Sequence, residues 1–110
     1  MFPKLVFTYY IPGALSADKA IYFVAPEDIT LDRVLAQGIT QNATLQVSDD
    51  GTAITDSLTV TAGTTPLEFD ADDFLNDKRP QIRKGSVVSI AVGHGSNCVD
   101  LNFSLIFTLG

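Results

Sequence analysis

The chain has 110 residues, of which 45% are hydrophobic and only 18% charged, and its formal net charge is −6. Length alone predicts one domain, residues 1–110, with a core large enough to need neither disulfide nor metal. An average soluble domain carries about 25% charge, so the deficit predicts apolar surface covered by other copies or by a larger body. The acidic balance disfavours direct nucleic-acid binding, and the lone Cys98 excludes an internal disulfide and a thiolate zinc cluster.

The opening "MFPKLVFTYYIPG" is too short in apolar length for a secretory leader and lacks a small-residue cleavage pattern. No run approaches the ~20 apolar residues of a membrane span. The expectation is synthesis in a cytoplasm and no membrane contact. Within this opening, Leu5, Phe7, Tyr9 and Ile11 alternate on one face of a strand, and Pro12-Gly13 predicts a reversal. In "AIYFVA" Ile21 and Phe23 oppose Tyr22 and Val24, so both faces read as apolar. "DITLDRVLA" starts in phase at Ile29 and Leu31 and changes phase to Val34 and Ala36, which predicts a bulge or bend.

Three further strands follow the same logic. Ala43, Leu45 and Val47 share a face, as do Leu58 with Val60, and Val88 with Ile90 and Val92. The last run, "CVDLNFSLIFTLG", places Val99, Leu101, Phe103, Leu105, Phe107 and Leu109 on one face of a long strand. Turns fall at Asp49-Asp50-Gly51, Gly63, Lys84-Gly85 and Gly93-His94-Gly95. The only helical prospect is one short turn near residues 71–76, capped by Asp70 or Asp72 and stopped before Pro80. Seven or eight strands at this spacing predict an all-β fold: a two-sheet antiparallel β-sandwich, jelly-roll-like.

Chemistry is sparse. His94 is the only histidine and sits between glycines, so it reads as a hairpin tip rather than a base or a metal ligand. The carboxylates "DADD" (70–73) and "SDDG" (48–51) lack the spacing of a calcium loop and read as caps and turns. No nucleophile is paired with a base, so an enzyme is not expected, and neither is a cofactor. Cys98 reads as a small buried hydrophobe. The informative feature is a basic cluster, Lys78, Arg79, Arg83 and Lys84, which holds four of the seven cations. It is either a solvated loop paired with Asp72, Asp73 and Asp77 or a contact for an acidic protein partner. A second candidate interface is the aromatic N-terminal end, Phe2, Tyr9 and Tyr10.

The order of features resembles small β-sandwich head decoration (cement) proteins of tailed bacteriophages. The resemblance spans nearly the whole chain and rests on two segments, Phe7 to Ala36 and Thr65 to Val92. Its marks are Ile11-Pro12-Gly13, Ala25-Pro26, Asp73-Phe74, Pro80, and Lys84-Gly85 before a hydrophobic strand. TNF-like and C1q-like jelly rolls share similar patterns. The resemblance implies a passive protein on the virion exterior, made in the bacterial host cytoplasm. It further implies a homotrimer that binds the major capsid protein and bridges neighbouring capsomers. No functional residue carries over by motif. The alternative is a carbohydrate-binding or adhesin-type module, for which Tyr22, Asn97 and Asp100 are available.

Overall fold

The computed structural model describes residues 4–15, 17–38, 42–61, 63, 66–70, 72, 74, 78–93 and 98–109. Among these, ten strands form two five-stranded antiparallel sheets. One sheet runs β1 (Lys4–Ala14), β10 (Val99–Leu109), β3 (Ile29–Gln37), with β7 (Leu67–Phe69) and β8 (Gln81–Ile82) side by side on the far edge of β3. The other runs β2 (Lys19–Val24), β9 (Val87–Gly93), β4 (Ala43–Asp49), with β5 (Thr52–Ala53) and β6 (Leu58–Val60) sharing the edge of β4. The fold is the expected all-β, jelly-roll-like sandwich.

Period-2 alternation sets which side chains meet between the sheets. Leu101, Phe103, Leu105 and Phe107 of β10 are buried and face Leu45, Val47, Val88, Ile90 and Val92 of the other sheet across one core. Ile29, Leu31, Val34 and Ala36 join them from β3. The change of phase in β3 is a bulge: Ile106 pairs with Arg33 and Phe107 with Leu31, which leaves Asp32 as the extra residue. Without it, Val34 and Ala36 would point at solvent.

The hairpin after β4 uses Asp50 and Gly51, both at positive φ (47° and 86°), as a tight two-residue turn requires. Asp50 locks this corner, since its Oδ1 accepts the Val87 N–H at 2.8 Å. Pro12-Gly13 behaves differently from the sequence expectation. The chain does not reverse there; β1 continues to Ala14 through a bulge opposite Asp100. Gly13 takes φ 73° and donates its N–H to Asp100 Oδ1 at 2.7 Å, while Asp100 itself sits at φ 52°. A carboxylate thus replaces the ladder partner that the bulge removes. The turn expected near 71–76 lies mostly outside the described residues. Asp72 sits in a 3₁₀ turn, and its N–H bonds Asp70 Oδ1 at 3.2 Å, which confirms the cap.

Candidate interaction surfaces

The basic cluster sits at one end of the sandwich. Its loop is fastened to the β2–β3 connection by backbone bonds, so it is presented on a fixed frame. Leu31 N–H donates to the Pro80 carbonyl at 3.0 Å, Gly85 N–H to the Ala25 carbonyl at 2.9 Å, and Lys84 N–H to Asp28 Oδ1 at 2.8 Å. Gly85 has φ 89°, which the turn needs and glycine supplies.

The four cations are not equivalent. Arg79 Nε donates to Asp32 Oδ1 at 2.8 Å, and Arg33 Nε donates to Asp32 Oδ2 at 3.1 Å. Arg33 also reaches Glu68 Oε1 at 3.0 Å. The bulged Asp32 is therefore gripped by two guanidinium groups. Its partial burial works to raise its pKa, but hydrogen bonds and charge from Arg33 and Arg79 outweigh this and hold it below the ordinary carboxylate value. The acids expected to neutralise the cluster were Asp72, Asp73 and Asp77; the partner found for Arg79 is Asp32, 47 residues away. Asp73 and Asp77 lie outside the described residues. Lys78, Arg83 and Lys84 are exposed, and their side chains form no ion pair among the described residues.

The aromatic candidates lie elsewhere. Tyr9 and Tyr10 face Phe103 and Asn102 on β10, whereas Lys4 faces Thr108 at the end that carries the basic loop. Five or six strand residues separate them, roughly 16–20 Å. Tyr9 stacks on Phe103 with ring centroids 6.0 Å apart, yet remains 38% exposed. Tyr10 is 54% exposed, and its hydroxyl donates to Asp100 Oδ1 at 3.2 Å. Partial desolvation, then the Asp100 hydrogen bond and charge, raise the Tyr10 pKa. Phe2 lies outside the described residues.

Sequence reasoning did not single out the face that stands out in the structure. On the outer side of the second sheet, Ala20, Tyr22 and Val24 of β2 lie directly beside Ala91, Ser89 and Val87 of β9. Thr44, Gln46 and Ser48 of β4 continue this face; none of these strand residues is charged, and the Asp50 carboxylate stands at its corner, on the Val87 N–H. Tyr22 is 66% exposed, Val24 59% and Val87 40%. The signal was present in "AIYFVA", whose two apolar faces cannot both enter one core.

The other candidates resolve simply. Tyr22 is on the outer face of one sheet and Asp100 at the end of a strand of the other, so they do not form one patch; Asn97 and His94 lie outside the described residues. Among the described residues no group of three or more His, Cys, Asp or Glu side chains converges as a metal site. Cys98 is buried, and desolvation raises its thiol pKa. Among the described residues no helix is long and apolar enough to cross a membrane.

Comparison with solved structures supports the architecture. A family 35 carbohydrate-binding module from Clostridium thermocellum matches with a TM-score of 0.53 at 13% identity, over 97% of this chain and 92% of that one. A chain of infectious bursal disease virus Gx strain matches at 0.48 and 16% identity, over 96% of this chain and 32% of that one. The EclA C-terminal domain, a sugar-binding protein, matches at 0.46 and 13% identity, over 96% and 78%. At 13% identity the likeness to the carbohydrate-binding module is one of fold, a β-sandwich. No family model matches the chain, and neither does any curated protein.

Proposed function

We propose that the chain is a non-enzymatic structural protein of the virion, a cement-type β-sandwich that binds the outside of an icosahedral phage head and stabilises contacts between its capsid subunits. The observation that carries this reading is the uncharged outer face built by β2 and β9. In a chain of net charge −6 the outward strand residues of β2 and β9 carry no acid, and Tyr22, Val24 and Val87 stand in water. An apolar patch with an exposed aromatic at its centre is how a protein contact surface is built. The sequence marks of head decoration proteins support the same reading. The exposed cations Lys78, Arg83 and Lys84 supply electrostatic guidance toward an acidic shell.

The test is binding to purified phage heads that lack their decoration layer. Wild-type protein is expected to bind saturably and to raise the temperature at which the heads open. A Val24→Asp variant places a charge on the face without touching the core and is expected to weaken binding at least about tenfold. Equal binding by that variant would remove the face from the proposal.

A sugar-binding reading keeps one specific observation, the exposed Tyr10 ring beside the Asp100 carboxylate. An aromatic face next to a polar acceptor suits a sugar ring. Silence across a broad glycan array would set this reading aside.

A further inference from the structure

We propose that β1 is a self-association edge, pairing antiparallel with β1 of a second copy about a twofold axis through Thr8. The inference is independent of what the β2–β9 face binds.

β1 is 11 residues long and, among the described residues, pairs on one side only, with β10. Its other side presents unpaired backbone donors and acceptors, which is a template for another strand. Among the described residues, three of the six exposed large hydrophobic residues lie on it: Val6 at 55%, Tyr9 at 38% and Tyr10 at 54%. Beside it runs β2, the edge of the other sheet, with Phe7 and Phe23 stacked 4.6 Å apart and only half-buried in the seam between them.

Charge identifies the occupant. A twofold contact sets each group near its own symmetry mate, so an acidic edge would repel itself. In this acidic chain, neither β1 nor β2 contains an acid; their only charges are Lys4 and Lys19. The extents of the molecule, 36 × 24 × 24 Å, leave room on a lateral side for the ~800 Å² per partner that a stable interface needs.

The register follows from parity. Residues directly opposite in an antiparallel pair share a face, so the axis passes through a residue rather than between two. Pro12 lacks an N–H and the bulge follows Ile11, so regular pairing is confined to Lys4–Ile11. The central axes are then Phe7 and Thr8. An axis at Phe7 sets Val6 against Thr8 and Tyr10 against Lys4. An axis at Thr8 sets Val6 against Tyr10 and Phe7 against Tyr9, covering all three exposed residues with apolar partners. It also keeps the two Lys4 side chains roughly 26 Å apart, beyond screening range. The two five-stranded sheets would then join through their β1 strands into one.

The test combines mass in solution with disulfide trapping. Wild-type protein is expected to sediment as a reversible dimer, where the resemblance to decoration proteins implies a trimer. Thr8→Glu places two carboxylates across the axis and should raise the dissociation constant about tenfold or more. Its melting temperature at low concentration should match wild type, since Thr8 is exposed and shares one surface hydrogen bond with Ser104. Thr8→Cys should form a disulfide-linked dimer on mild oxidation and Lys4→Cys should not; the buried Cys98 does not compete. A wild-type monomer at every concentration overturns the proposal. So does an oligomer that Thr8→Glu leaves intact, or trapping at position 4 but not at 8. Loss of head binding with the dimer intact, or the reverse, separates this inference from the proposed function.

Discussion

The two lateral sides of the sandwich are built on opposite plans. On one side, the outer edges of β3 and β4 are closed by strands of only two or three residues, β5 to β8. There the ion pairs of Arg33 and Arg79 with Asp32 and Glu68 lie across the edge of the sheet, and Phe74 and Ile82 plug the core. On the other side, β1 runs regularly from Lys4 to its bulge after Ile11 and β2 over its six residues; neither carries an acid, and both leave aromatic rings half-covered. Short strands and charges are how sheets avoid joining other sheets. Their concentration on one side, against only Lys4, Lys19, Pro12 and one bulge on the other, divides the molecule into a sealed side and a more open one.

The largest expected effect tests this division through the core. Phe74 is 1% exposed and forms an isolated bridge with the fully buried Thr55. Phe74→Ala should cost about 3–5 kcal/mol, measured by denaturant unfolding. Phe23 packs on Phe7 and edge-on against Phe107, but in the half-buried seam of the open side. Phe23→Ala should cost clearly less than Phe74→Ala when both are measured as monomers. Equal costs would mean that the open side is as tightly closed as the other.

A smaller effect concerns acid. The Asp32 carboxyl is held below its ordinary value near 3.8 by two guanidinium groups. A depressed folded-state pKa gives stability that is fully present above the unfolded value and is lost as pH falls through the folded one. Asp32→Asn should therefore lower the melting temperature by a few degrees at neutral pH and converge with wild type in acid, once the pH is below the depressed folded-state value. Parallel curves down to that pH would show that the grip on Asp32 contributes nothing. The contact with Arg79 is exposed enough for salt to weaken it.

What the sequence revealed follows from what is periodic. Buried faces of β3, β4, β6, β9 and β10 were legible because their alternation is strict, and the β3 bulge was legible because Asp32 breaks it. Asp50-Gly51 was legible because a two-residue hairpin demands positive φ. The two-residue strands β5 and β8 were not, since two residues carry no period. Pro12-Gly13 misled because the same dipeptide serves a reversal or a bulge, and the deciding contact, Asp100, lies 87 residues from Gly13. The partner of Arg79 was hidden for the same reason. The open side was half-visible. "AIYFVA" and "KLVFTYYI" carry more apolar residues than one face can hold, but their place at the sheet edges is a property of topology.

The smallest expected effect on stability bears on the basic loop. Reversing both Arg79 and Arg83 would confuse two roles, because Arg79 holds Asp32 while Arg83 makes no ion pair among the described residues. Lys78→Glu with Arg83→Glu is the cleaner pair. Both side chains are exposed, and the loop is fixed by backbone bonds to Ala25 and Asp28 that neither substitution touches. Unfolding free energy should change by less than about 1 kcal/mol. Under the proposed function, association with phage heads should slow at low ionic strength and recover toward the wild-type rate as salt screens both proteins. If the rates coincide at low salt, the loop does not steer the encounter, and the proposed β2–β9 face must account for recognition alone.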